Sequence, residues 1–392
     1  MSNEHVVSPT SQLAVGSDPT RLIAFYLPQF HPIPENDQWW GRGFTEWTNV
    51  TRARSLFRGH QQPHLPSDLG FYDLRLPEAR QAQADLAREY GISGFCYYHY
   101  WFSGRRLLER PFNEVLASRE PDFPFCLCWA NERWTRTWDG GVHCVLMDQT
   151  YSAEDDLAHI RWLCEAFRDP RYIRVEGRPL FLVYAAADLP DSVRTTSIWR
   201  EEALRQGLDG LFLCRVESHQ DKRVDPRLMG FDAAVEFVPA ELSLLGSRIG
   251  PTGLRPLDLV LRKSRIARKH QINRVYSYET LVRNALAKPN CGYERFRCVT
   301  PSWDNSARRN WGAGIIVGSS PELYREWLEG IVRQASANPP DRRVVFINAW
   351  NEWAEGNHLE PCQRWGRAYL AATREALLAG SRPIGGGVLM PR

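Results

Sequence analysis

Two glutamates, Glu352 and Glu355, stand three residues apart in the segment from Asn348 to Pro361, together with the indoles of Trp350 and Trp353, the amide of Asn351 and the imidazole of His358. Carboxyls at that spacing can converge on one bond when a loop turns both inward, and unequal burial then splits their pKa values into an acid and a base. Gly356 closes the group at a position unsuited to a continuing helix. The segment follows the apolar, β-branched run of residues 343–347, which reads as a fully buried strand, so the glutamates belong to a loop at a strand exit.

A loop holds chemistry in place only if the elements beneath it are rigid. Strand-like runs are expected at residues 21–27, 94–98, 123–129, 180–184, 211–214, 233–237, 295–299 and 344–348. Helices separate them, such as 78–90 between Pro77 and Gly91, and a helix to Phe167 opened by Ser152 and Asp155 in the manner of a capping box. Repeated β-α units demand parallel strands with right-handed crossovers, and eight of them over this length fit a single-domain (β/α)8 TIM barrel better than an open doubly wound sheet. The barrel is expected over 21–380, with an insertion at about 239–277, a disordered tail over 1–20 and a flexible tail over 381–392. The insertion carries a basic run, 262–270, read as a solvated helix face. In a barrel the exits at 26–50, 98–104, 129–140 and 348–360 lie on one rim.

Composition narrows the function classes. The 392 residues, 43% hydrophobic and 24% charged, suffice for a large core, and 49 basic against 46 acidic side chains give no sign of a nucleic-acid partner. The nine cysteines form no C-x-x-C pair and sit mostly in apolar runs, as small buried hydrophobes of a reducing compartment do. There is no basic and apolar leader and no run of 18 apolar residues, so the expectation is a cytoplasmic protein without an integral membrane segment. No G-x-G-x-x-G follows a strand and no P-loop occurs, and no cofactor or metal is expected.

Tryptophan placement points to the ligand. Eleven of the fifteen (residues 39, 40, 47, 101, 129, 134, 138, 303, 311, 350 and 353) fall at or just after strand ends. Aromatic faces around a cleft, interleaved with Asn, Asp, Glu and His, suit a sugar, whose C–H surfaces stack while its hydroxyls bond. Trp134 and Trp353 are the expected platforms, with Trp47, Trp303, Tyr98, His31, His99, His358, Asn131 and Glu46 as further contacts. His60 and His64 have helical spacing but flank Pro63, which disfavours a metal pair. Glu132, after Asn131, has the strand-end Asn-Glu form used by barrel glycosidases for their acid; the alternative is an ion-pair partner for Arg133 or Arg136. No Ser or Cys lies in a nucleophile elbow.

Tyr26-Leu27-Pro28-Gln29-Phe30-His31, Gly43-Phe44-Thr45-Glu46-Trp47, Tyr97-Tyr98-His99-Tyr100-Trp101, Trp129-Ala130-Asn131-Glu132 and Trp350-Asn351-Glu352-Trp353-Ala354-Glu355-Gly356 together resemble the WbsX-like proteins of bacterial polysaccharide gene clusters. Those are similar in turn to glycoside hydrolase family 99, the endo-α-mannosidases. The resemblance spans roughly residues 21–380. It implies a (β/α)8 barrel acting on α-linked glycans of lipopolysaccharide or capsule type, with Glu352 as base and Glu355 as acid. By that assignment Glu355 should titrate above the free value of about 4.3 while Glu352 stays ionised beside Asn351 or His358. The chain departs from the family patterns at Ala354, Asn357 and Cys362, where His, Thr and Asp are usual. The expected activity is cleavage or transfer of an α-glycosidic bond in a cell-surface polysaccharide. The alternatives are a glycosyltransferase using an activated sugar donor, and a non-catalytic glycan-binding or assembly protein.

Overall fold

Eight parallel strands close on themselves: β1 (Arg21–Tyr26), β2 (Gly94–Phe102), β3 (Phe125–Trp129), β4 (Arg178–Val183), β5 (Phe212–Glu217), β6 (Ala233–Glu236), β7 (Arg295–Val299) and β8 (Val344–Ile347). Each pairs with its neighbours in sequence, and β1 pairs with both β8 and β2, which completes a (β/α)8 barrel. The computed structural model describes residues 19–136, 141–218, 224–240, 244, 246–250, 273–309 and 312–381. All eight strands lie where the apolar runs place them.

Period-two alternation and register divide the side chains of each strand between barrel interior and helical shell. Phe25 meets Tyr98, Phe237 and Phe346 across the interior. Register with Phe25, Tyr98 and Phe346 turns Cys96, Cys126, Cys128 and Cys298 to that same face, where a small side chain fits beside large rings. The opposite face packs outward: Tyr26 donates its hydroxyl to Gln83 at 2.6 Å, and Trp129 lies against Trp199.

Helices α1 (Pro34–Trp40) and α2 (Glu46–Arg52) occupy the exit loop of β1 and reach the rim. The shell comprises α3 (Pro77–Glu89), α4 (Arg110–Ser118), α5 (Ala153–Phe167), α6 (Ser192–Arg205), α7 (Tyr278–Leu286), α8 (Pro321–Ala335) and α9 (Ala368–Gly380). Ser152 caps α5 by accepting from the Asp155 N–H, as the sequence indicates. Between β5 and β6 the described residues carry only the short 3-10 turn Pro226–Met229 where the alternation calls for a helix.

Outside the barrel, Arg248–Gly250, Arg274–Ser277, Gly314–Val317 and Trp303–Asp304 form a separate four-stranded sheet. The flanks of the expected insertion are thus tied to the exit loop of β7. Such short, non-local pairings leave no local pattern to read. The basic run, Trp138, Trp311 and residues 1–18 lie outside the described residues. Thr20, expected in the disordered tail, is 2% exposed. No helix among the described residues is long and apolar enough to cross a membrane.

At the start of β2, a Cβ added to Gly94 would lie 2.7 Å from both the Pro124 carbonyl oxygen and the Ile173 side chain. Gly94→Ala should therefore lose about 1–3 kcal/mol by overpacking. Chemical denaturation checks this; an unchanged midpoint would show that the β2–β3 seam has slack.

Candidate active site

The chain leaves β8 through a loop held at several points. Trp350 donates its N–H to the Phe25 carbonyl, and Asn348 Nδ2 donates to the Val238 carbonyl at 2.7 Å. Asn351 crosses the seam to β1: its Oδ1 accepts from the Leu27 N–H at 2.7 Å and its Nδ2 donates to the Leu27 carbonyl at 3.0 Å. At the exit of β3, Asn131 does the same to Ala185, with Oδ1 accepting at 2.8 Å and Nδ2 donating at 2.9 Å. In each Asn-Glu pair the amide thus pins the backbone, and the following glutamate, Glu352 or Glu132, lines the cleft. A 3-10 turn, Trp353–Glu355, follows, and Gly356 reverses the chain at φ 55°. A Cβ on Gly356 would stand 3.1–3.2 Å from Asp304, so the loop lies directly against the exit of β7.

That neighbouring exit supplies the cation. Asp304 is held by His60 Nε2 at 2.6 Å and caps the 3-10 turn Asn305–Ala307, which delivers Arg308 to the cleft. Arg308 meets three carboxylates: Nε with Glu46 at 3.1 Å, Nη2 with Glu352 at 2.8 Å and Nη1 with Glu355 at 2.9 Å. Burial alone would ease a proton off Arg308, but Glu352, Glu46 and Glu355 outweigh it and hold the guanidinium firmly charged. Burial pushes Glu352 up to about 8; Arg308 opposes that rise, and Glu355 and Glu46 reinforce it. Glu46 is also pushed up by burial, against the pull of Arg308. Burial thus works against the expectation of an ionised Glu352. Its immediate partner is Arg308 rather than Asn351 or His358, and it is buried beside two like charges.

The cleft itself holds about 280 Å³, near the lower end of the range of about 300–1,000 Å³ for ligand pockets. Tyr98, Tyr100, Trp134, Tyr184 and Trp303 line it beside Glu132, Arg308, Glu352 and Glu355. Alternation along β2 explains why Tyr98 and Tyr100 face inward while His99 points away. His99 instead bonds His159 at 3.0 Å, stacks on Trp162, and is kept neutral by burial, which lowers it to about 3. His31 is likewise outside the lining, bonded to the Pro28 carbonyl at 3.0 Å and lowered by burial to about 4.

The aromatic rim needs the largest correction. Trp353, read as a sugar platform, is 1% exposed, donates Nε1 to Glu360 at 2.6 Å and stacks on His358 with centroids 3.7 Å apart. Trp47 packs against Trp353 and donates to the Tyr72 carbonyl, and His358 bonds His64 at 3.1 Å behind the loop. Trp101, Trp129 and Trp350 are buried in the core. Trp40, Trp134 and Trp303 are the described tryptophans that do line the cleft. Strand-end position places an indole near the rim, but its rotamer decides between cleft and core. Sequence reasoning missed Arg308, Tyr100 and Tyr184. The available signal for Arg308 was a lone arginine pair, Arg308-Arg309, in a strand-exit loop.

The two indoles separate by experiment. Trp134→Ala should weaken glycan binding by about 1–3 kcal/mol in calorimetry and leave the fold intact. Trp353→Ala should instead cost about 3–5 kcal/mol of stability in denaturant unfolding. A stable Trp353→Ala protein with weakened glycan binding would return that ring to the ligand face.

Comparison with known proteins bears on the family and the fold. The family described as glycosyltransferase WbsX matches residues 22–373. Two WxcX proteins, from different strains of Xanthomonas campestris pv. campestris, are 48% identical over 360 residues, 92% of this chain and 50% of theirs. The chain thus spans about half the length of these curated relatives. Among solved structures, the GH99 endo-alpha-mannosidase of Bacteroides thetaiotaomicron superposes with a TM-score of 0.54 at 13% identity, over 92% of this chain and 96% of that one. A glycoside hydrolase-like protein gives 0.54 at 16% identity, over 95% and 97%. At such identities the likeness bears on the fold, the same closed barrel. The chain belongs to the WbsX glycosyltransferase family.

Proposed function

We propose that the chain cleaves or transfers an α-glycosidic bond in a cell-surface polysaccharide of lipopolysaccharide or capsule type, with Glu355 as acid and Glu352 as base. The observation that carries this reading is that both carboxylates reach one guanidinium on the wall of a cleft lined by rings and tyrosine hydroxyls. In the first step Glu352 takes the proton of the sugar 2-hydroxyl, whose oxygen bonds to the anomeric carbon as the glycosidic C–O bond breaks. The departing oxygen receives the proton of Glu355. In the second step Glu355 removes a proton from the incoming hydroxyl, which opens the anhydrosugar, and Glu352 returns its proton to the 2-oxygen. If the incoming hydroxyl is water the reaction is hydrolysis; if it belongs to a second sugar it is transfer. The family description favours transfer as the second reading. A base raised to about 8 is ionised in growing fraction as pH rises through that value, so kcat/KM should rise with pH across the neutral range.

The test uses α-linked oligosaccharides released from lipopolysaccharide or capsule, with and without nucleotide sugars, and activated aryl α-glycosides. Glu355→Gln should cripple turnover of the oligosaccharides by about 100-fold or more and largely spare the aryl glycosides, whose departure needs no proton. Glu352→Gln should abolish both. Equal losses on the two substrate types in Glu355→Gln, or the leaving-group rescue in Glu132→Gln, would transfer the acid role to Glu132. Product formed only with nucleotide sugars present would replace the glycosidase-like scheme with an activated-donor transferase.

A further inference from the structure

We propose that Glu46 is a third carboxylate of this site, a positioning residue that acts through Arg308 to set the proton held by Glu352. The proposal rests on the reading of Glu352 and Glu355 as the catalytic pair. One guanidinium spreads its N–H groups over three carboxylates, at 3.1, 2.8 and 2.9 Å. With all three ionised, a single positive charge would face three negative ones in a site where Glu46 is fully buried and Glu352 5% exposed. Desolvated like charges cannot all persist at that separation, so the cluster retains a proton near neutral pH.

The carboxyls differ in what they touch. Glu352 and Glu355 line the cleft, whereas Glu46 is not part of its lining. Glu46 Oε2 accepts from Arg308, and its buried Oε1 has the Asn49 amide nearby but outside hydrogen-bond geometry. An unmatched carboxylate oxygen in a dry pocket is costly, which makes Glu46 a place where the cluster's proton can reside. Each time Glu46 is ionised it raises the proton affinity of Glu352; each time it is neutral Glu352 is released to act. The other titratable or charged groups lining the same cleft are Tyr98 and Tyr100 from β2, Tyr184 from the β4 exit, and Glu132 and Arg133 from the β3 exit, and burial keeps the three hydroxyls protonated. Glu46 is therefore the buried, non-lining charge that can tune Glu352 without touching substrate.

The measurement is infrared difference titration of the protonated-carboxyl band on the whole chain, run beside kcat/KM against pH. Glu46→Gln keeps size and removes one negative charge. The Glu352 midpoint, assigned by its loss in Glu352→Gln, should fall by about one to two pH units, and the acidic limb of the rate profile should move with it. Arg308→Gln removes the cation and should move the midpoint upward, which keeps the coupling testable if Glu46→Gln fails to fold. A midpoint that stays put in a folded Glu46→Gln protein, or that does not rise in Arg308→Gln, overturns the proposal. If Glu352→Gln keeps full turnover while the infrared shift is still seen, the catalytic assignment falls and the charge coupling stands.

Discussion

The candidate site depends on side-chain amides closing the seams between neighbouring strand exits. Asn351 satisfies both backbone groups of Leu27, and Asn131 both backbone groups of Ala185. A parallel barrel supplies backbone pairing only as far as its strands run; beyond that point, exposed N–H and C=O groups at each exit need other partners. An asparagine provides one donor and one acceptor in the spacing of a peptide group, so it continues the sheet by one step. The next residue, alternating in direction, is then aimed inward. In both places that residue is a glutamate.

Once the glutamates are aimed, the difficulty is electrostatic. Carboxylates brought together in a partly dry cleft repel each other and lose hydration, and either effect drives protons onto them. Arg308 offsets this as a planar fork able to serve several acceptors at once, which an ammonium on a flexible stem does less well. Its own position depends on Asp304, and Asp304 on His60 and Gln62, from the exit loop of β1. The site is thus assembled from both sides of the β8 loop. Residues more than 250 positions apart, such as Glu46 and Arg308, meet because β1 closes the barrel against β8.

The architecture was legible because it rests on pattern: most barrel strands are apolar runs of buried-strand length, and the alternation of runs with helical stripes admits few topologies. The glutamates were legible for a similar reason, since a strand exit points its first polar residues at one rim. Arg308 was not, because nothing local distinguishes an arginine that bridges three carboxylates from one in solvent. The tryptophans misled for the converse reason. Trp134 and Trp353 have like positions after a strand, but Trp134 lies against Tyr100 and Trp39 at the cleft, whereas Glu360 captures the Trp353 indole N–H and turns its ring inward. One hydrogen bond, to a residue seven positions along the same loop, separates the two outcomes, and spacing alone does not say that it forms.

Glu360 also shows what distinguishes a structural buried carboxylate from a chemical one. It is 1% exposed, and burial pushes it up to about 7, with Trp353, Gln83 and Tyr72 as opposing donors. Tyr72 and Trp353 reach one oxygen at 2.9 and 2.6 Å, and Gln83 reaches the other at 2.6 Å. Neutral donors saturate it from three separate parts of the chain, so it acts as a strut that ties the β8 exit loop to α3 and to the β1 exit loop. Glu352 is comparably buried, but it is held on one side by Arg308 and open on the other to the cleft. Burial raises both carboxyls; Glu360 is saturated by neutral donors, whereas Glu352 faces a ligand-sized space across from a single cation.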